Sequence, residues 1–467
     1  MNSATAIARR TFLRRLGHLG IAGTAAPWAI NLAAMGEAAA FNADGYKALV
    51  CIFLYGGNDN GNTVIPYDST GHAEYLKVRG GLAMARSQLD ATALAGTGLP
   101  AGRGYALAPQ LAPLKALFDK QQLAVQLNVG PLLQPTTLAQ YRARSVPLPP
   151  KLFSHNDQQS VWQSSHAEGS VKGWGGNIGD LALAGNGANA QFTCMSVTGN
   201  AVFLSGDSAL AYQIGAGGAV GIDGVVKSDG MFGSQACREA LRNLITQERA
   251  NLLENELNRV TSRSIGAQAT LANALGASAG QFDALLPDKE GQQTRALNRQ
   301  LKMVARLIAA RNQLGLKRQV FLVSLGGFDT HDKLNTNHPL LLAQVGAAMA
   351  GFQQALDGLG VGAQVTTFTA SDFGRTMTSN GDGSDHGWGS HHLVMGGAVK
   401  GKAFYGTAPT ALLGGPEDVG QGRLLPGTSV DQYAATLARW LGVSDGEMVQ
   451  IAPNIGRFDQ ANLGFLG

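Results

Sequence analysis

Apolar positions along this chain follow two rhythms. Ala48 to Tyr55 is an unbroken apolar run that stops at Gly56-Gly57. Such a run reads as a strand buried on both faces, and so as part of a parallel sheet. Leu123–Val129, Gln319–Ser324 and Gln364–Thr369 also read as strands, their apolar residues interrupted by Gln, Asn, Ser or Thr. Between them the apolar spacing changes to three and four residues, which predicts helices over Leu111–Phe118, Ala240–Arg259, Thr294–Leu314, Pro339–Leu359 and Val430–Leu441. Gly315 suits the stop of the third of these. Gln319 to Thr369 is then a compact strand–helix–strand unit, expected to be right-handed. The segment 168–230 is rich in glycine, with short strand candidates at Gln191–Val197 and Ala201–Leu204, and reads as an insertion or an antiparallel flank. The predicted architecture is α/β, three-layered, with a mainly parallel central sheet.

Composition narrows this little. The 467 residues, 45% hydrophobic, suffice for a large core in one domain or two. The net charge of +4 sits at the front: Arg9, Arg10, Arg14 and Arg15 against Glu37 give +3, which leaves about +1 elsewhere. No basic stripe is present, so nucleic acid is not an expected partner. Arg9-Arg10-Thr11-Phe12-Leu13-Arg14 matches the twin-arginine export signal. A mildly apolar run, Leu16 to Met35, and a small-residue site at Ala38-Ala39-Ala40 follow in order. Residues 1–40 are therefore expected to be a signal peptide read by the twin-arginine export machinery. Residues 41–467 would form the exported domain, periplasmic or secreted. No later run of 18 or more apolar residues occurs, so no transmembrane segment is expected. Cys51 lies in a strand-like run, and Cys194 with Cys237 is a possible disulfide.

Polar motifs follow three of the predicted strands. Gly56-Gly57-Asn58-Asp59 follows the first, Gly326-Gly327-Phe328-Asp329-Thr330-His331 the Gln319 strand, and Ser371-Asp372-Phe373-Gly374-Arg375 the Gln364 strand. Parallel strands bring such ends to one sheet edge, where sites form. Asp59, Asp329 and Asp372 are thus expected to converge. Five of the nine histidines, His331, His338, His386, His391 and His392, lie within residues 331–392, with Asp385 among them. Carboxylates and imidazoles on Gly-rich turns suit a divalent metal: zinc, calcium, magnesium or manganese. His391 and His392, adjacent in an extended segment, would point to opposite faces, so only one of them is expected to bind.

FLYGGNDNGNTVIP, FSHNDQQSVWQ, GGFDTH and DFGRT…DHGWG together resemble the secreted bacterial family called domain of unknown function 1501. That family in turn is remotely similar to the alkaline phosphatase and sulfatase superfamily. The resemblance implies an alkaline phosphatase-like fold and a metal-dependent hydrolase of phosphate or sulfate esters, acting on a small-molecule or polymer ester. It places metal ligands at Asp59, Asp329, His331, Asp372 and His391 or His392, with Asp385 or His386 as a further ligand. It implies Ser154 as a nucleophile, His155 as a ligand or proton donor, and Arg375 or His386 as groups that steady developing charge. From the residues alone, Ser154 is equally a helix N-cap, with Asp157 capping back. Arg375 is equally an ion-pair partner of Asp372 or Asp385. Phe373 stands where the superfamily has a second-metal histidine, and no C/S-x-P-x-R context exists for a formylglycine sulfatase. A non-catalytic, metal-stabilised binding or surface-assembly protein of the same fold is the other reading.

Overall fold

The computed structural model describes residues 41, 44–226, 229–288, 295–410 and 412–467. The proposed signal peptide, residues 1–40, lies outside them. A nine-stranded sheet forms the centre. Its strands are β1 (Lys47–Leu54), β2 (Leu123–Gly130), β3 (Cys194–Ser196), β4 (Tyr212–Gln213), β5 (Arg318–Leu325), β6 (Val365–Ser371), β7 (Ser390–Met395), β8 (Ala403–Tyr405) and β9 (Thr428–Ser429). The order is β8-β2-β7-β6-β1-β5-β3-β4, with β9 also paired to β2. β1 pairs in parallel with β5 and β6, while β7 is antiparallel to both of its neighbours. The chain is therefore α/β with a mainly parallel sheet, as its apolar runs predict.

Alternation along β1 shows why both faces must be covered. Ala48, Val50, Ile52 and Leu54 enter one core, and Leu49, Cys51 and Phe53 the other. The first core is roofed by α2 (Ala112–Asp119), α7 (Arg295–Ala309) and α8 (Leu334–Gly358), the second by α4 (Trp174–Ala182) and α9 (Val430–Leu441). Two further helices, α1 (Ser69–Arg79) and α3 (His155–Ser164), carry Arg79 and His155.

Three local expectations change. Ala240–Arg259 is not one helix. It divides into α5 (Gln235–Thr246) and α6 (Leu252–Gly276), because the Asn251 side chain accepts from the Leu253 and Glu254 amides and starts a new helix. Ala201–Leu204 holds a 3₁₀ turn, Val202–Leu204, rather than a strand. The Gly-rich segment does not form an antiparallel flank: β3 and β4 extend the central sheet in parallel beyond β5. Cys51, Cys194 and Cys237 are free, the first two buried and the third exposed.

Candidate metal centre at the sheet edge

β1, β5 and β6 end level with one another, Leu54 opposite both Leu325 and Ser371. The turns that leave them are pressed together by glycine. Gly56 and Gly57 have φ of 114° and 82°, where L side chains are strained. A Cβ on Gly56 would strike the Asp329 backbone, and one on Gly57 the Phe373 ring.

Asp372, the first residue past β6, is fully buried, and its carboxylate serves the protein. It accepts from the Gly56 amide (3.2 Å), from Gln159 Nε2 (2.8 Å) and from His155 Nδ1 (2.7 Å). A carboxylate only accepts, so Nδ1 of His155 carries a proton, and in the neutral ring Nε2 keeps the lone pair. That Nε2 is buried without a hydrogen-bond partner and lies 3.4 Å from Asp329 Oδ2. The Asp372 hydrogen bond raises the His155 pKa against the opposing pull of burial.

His386 is arranged alike. Its Nδ1 donates to the Phe153 carbonyl (2.7 Å), which leaves Nε2 as an acceptor 3.3 Å from Asp329 Oδ1. Phe153 has φ 73°, an unusual conformation for a bulky residue, at the turn that presents this carbonyl. Burial lowers the His386 pKa and keeps the ring neutral. His331 completes the group. Its Nδ1 is 3.2 Å from Asp385 Oδ1, and its Nε2 is 3.1 Å from Asp329 Oδ1 and 2.9 Å from His386 Nε2.

Three imidazoles are thus held from outside by oxygen acceptors at Nδ1 and aim Nε2 at one carboxylate. Ligand atoms of His155, Asp329 and His386 all lie within 4.8 Å of one another. Acceptor atoms gathered in this way repel unless an extra proton on one of them or a cation lies among them. The residues present therefore fit a divalent metal.

Arg375 supports the carboxylate from below. It is fully buried and donates to Asp329 Oδ1 (2.6 Å), the Gly56 carbonyl (3.2 Å), Ser384 Oγ (3.3 Å) and the Ser384 carbonyl. Burial pushes the Asp329 pKa up, but the Arg375 hydrogen bond and charge outweigh it and hold the group below its usual value. Arg375 thus pairs with Asp329, and not with Asp372 or Asp385. The Asp385 carboxylate, which accepts from Asn380 as well as facing His331, is also held low, chiefly by the Asn380 bond. Phe373 is the floor of the site, its ring 4.9 Å from that of His155 and 4.7 Å from that of His386. Ser154 is the N-cap residue of α3 and turns its Oγ to Asp157 (2.8 Å) instead of to the helix amides.

Three candidates stand elsewhere. Asp59 is fully buried in an ion pair with the equally buried Arg79 of α1. His391 and His392 lie within β7 and point to opposite faces. His391 Nδ1 accepts from the Asn128 amide (3.1 Å) and its ring faces Tyr105; His392 packs against Trp162 and Tyr433. Burial pushes their pKa values down to about 4 and about 3. His338, buried against Asn58 Oδ1 (3.0 Å), is similarly lowered to about 4.

Gln159, the Phe153 carbonyl and Arg79 shape this region without having been singled out in the sequence. Gln159 had a readable signal, since it lies four residues after His155 and hence on the same helical face. Beside the centre is a polar cleft of about 430 Å³, lined among others by Tyr55, Asn156, Gln159, Gln163 and Asn200.

The sequence matches the model of a family described as protein of unknown function (DUF1501) over residues 46–452. No curated protein sequence matches it. Among solved structures, similarity extends to the lipoteichoic acid synthase LtaP from Listeria monocytogenes: 9% identity, 88% of this chain and 76% of that one, TM-score 0.36. A sulfatase structure titled for glycosaminoglycan metabolism by Bacteroides thetaiotaomicron gives 11%, 86% and 74%, TM-score 0.31. A mutant of the alkaline phosphatase PafA gives 11%, 72% and 64%, TM-score 0.27.

Proposed function

We propose that this chain, which belongs to the family of proteins of unknown function DUF1501, is an exported metal-dependent hydrolase of phosphate or sulfate esters. One observation carries the reading: the convergence of three imidazole Nε2 atoms on Asp329, each imidazole fixed at Nδ1 by an oxygen. His155, Asp329, His331 and His386 would hold the metal. This imidazole-rich set favours zinc over calcium, magnesium or manganese, which take mainly oxygen. When bound, such an ion polarises an ester oxygen and lowers the pKa of a water.

The chain's own residues do the rest. Asp372 and Asp385 orient His155 and His331, and Arg375 keeps Asp329 ionised and in place. Arg375 spends most of its donors on protein oxygens, and the Ser154 hydroxyl is given to Asp157, so water serves as nucleophile better than Ser154 does. The exposed Asp329 side of the site admits the ester, small or polymeric. Residues 1–40 are proposed as the twin-arginine leader and 41–467 as the exported domain.

The same two engaged side chains, with Phe373 in the floor, favour a second reading: a metal-stabilised protein without catalysis. The test is metal content after purification, with aryl phosphate and aryl sulfate hydrolysis measured on wild type and Asp329→Asn. Bound zinc with hydrolysis lost in the variant is the expected result. Metal without hydrolysis of either ester would leave the binding protein, and a wild type that neither retains nor takes up metal would sink both.

A further inference from the structure

α6 carries one apolar stripe along its length, and only half of it is covered. Leu253, Leu257, Val260, Ala267, Leu271 and Ala274, with Ser264 between, recur at alternating four- and three-residue steps. That is the spacing of a coiled-coil seam. Ala267, Leu271 and Ala274 are buried in the first core. Earlier in the helix the same stripe is bare: Leu253 is 83% and Leu257 64% exposed. Its neighbour α5 does not cover it. α5 contains no buried residue, and its junction meets α6 through Asn258, whose Nδ2 donates to the Gln247 carbonyl. Asn258 lies about 140° round the helix from Leu253. Single exposed leucines are ordinary, whereas a bare seam that continues a buried one is not.

We propose that this overhanging half of α6 pairs, antiparallel, with the same segment of a second copy of the chain, about a two-fold axis between Asn258 and Arg259. Heptad register sets the layers: Leu257 meets Val260 of the second copy, and Leu253 meets its Ser264. The flanking charges then match. Glu256 of each copy faces Arg263 of the other, twice by symmetry. Within one chain these two already meet at 3.0 Å on the exposed surface, and pairing exchanges one such contact in each copy for two between copies. A parallel arrangement would instead set Glu256 against Thr261. Two acidic residues, Glu254 and Glu256, and then two basic ones, Arg259 and Arg263, lie beside the stripe. A helix that lies on anionic lipid is rimmed by basic residues.

Sedimentation equilibrium of the folded chain, residues 41–467, tests this. A seam of few layers predicts a dimer with a dissociation constant on the order of micromolar. Leu257→Glu, at an exposed position, should raise that constant at least about tenfold while metal content stays unchanged. Glu256→Arg alone should weaken the dimer, and Glu256→Arg with Arg263→Glu should restore it. A wild type that is monomeric at about 100 μM, a dimer indifferent to Leu257→Glu, or a double swap that fails to restore pairing would overturn the proposal. So would a stripe that binds phosphatidylglycerol vesicles and does not self-associate.

Discussion

Two sets of histidines, drawn in part from one short stretch of sequence, meet opposite fates. His386 turns outward at the sheet edge and joins His155 and His331 around Asp329. His391 and His392, a few residues on, are locked into β7 on opposite faces of the sheet. Side-chain chemistry is identical in the two sets, so the difference comes from what each Nδ1 meets. In the edge set Nδ1 is a donor held by an oxygen, and the Nε2 lone pair is left for something else. At His391 Nδ1 is itself the acceptor, used up by the Asn128 amide. The edge set is built to bind, and the strand set is built to stay neutral in the core.

The largest expected effect lies in the strand set and concerns acid stability. His391 and His392 have folded pKa values of about 4 and about 3, below the ordinary 6.5. The unfolded chain therefore binds more protons than the folded one below pH 6.5. Stability should be full above that pH and fall as pH drops through the window from 6.5 to about 4, by on the order of 3 kcal/mol for each histidine. Urea unfolding at stepped pH measures this. His391→Gln with His392→Gln should make the profile between pH 6.5 and 4 much shallower, leaving the part due to His338, which burial also lowers to about 4, whatever it does to stability at pH 8. An unchanged slope would place the acid sensitivity elsewhere.

Next comes the edge set. Asp329→Asn removes the carboxylate on which three imidazoles converge, yet leaves an acceptor for the buried Arg375. Metal affinity should fall by more than about 100-fold with the unfolding midpoint of the metal-free protein little changed. Titration against a chromogenic chelator reads the first, and thermal unfolding the second. Asp372→Asn is gentler, because Asp372 is not among the proposed ligands and reaches the site through His155, its other bonds going to the Gly56 amide and Gln159. Loss of the charged partner at Nδ1 should weaken binding about 10- to 100-fold. If Asp372→Asn proved as damaging as Asp329→Asn, Asp372 would have to be counted a ligand.

The same contrast explains what the sequence could and could not disclose. β1 was legible as an unbroken apolar run, and β5 and β6, despite Gln319, Thr366 and Thr367, as the two strands flanking an amphipathic helix. The break between α5 and α6 was harder to see, since no Gly or Pro marks it. Asn251 with Glu254 three residues later was the available sign. At the site, residue types were readable but their orientation was not. His155 and Asp372 are 217 residues apart, and only their contact reveals which nitrogen faces inward. Asp59 had the look of a ligand after a strand, until Arg79 from a later helix took its carboxylate.

Phe373 offers the smallest and most discriminating change. Its ring lies under those of His155 and His386. Aromatic contacts of this kind are worth about 0.5–1.5 kcal/mol beyond burial. Phe373→Leu keeps much of the volume and the apolar character, at a cost under about 1.5 kcal/mol. If the ring only floors the site, metal affinity should drop less than about tenfold, because all three Nδ1 anchors remain. A larger loss would mean that packing, more than the outer oxygens, aims the imidazoles. In that case the edge and strand sets would differ less than their hydrogen bonds imply, both being held chiefly by the aromatic surfaces against them.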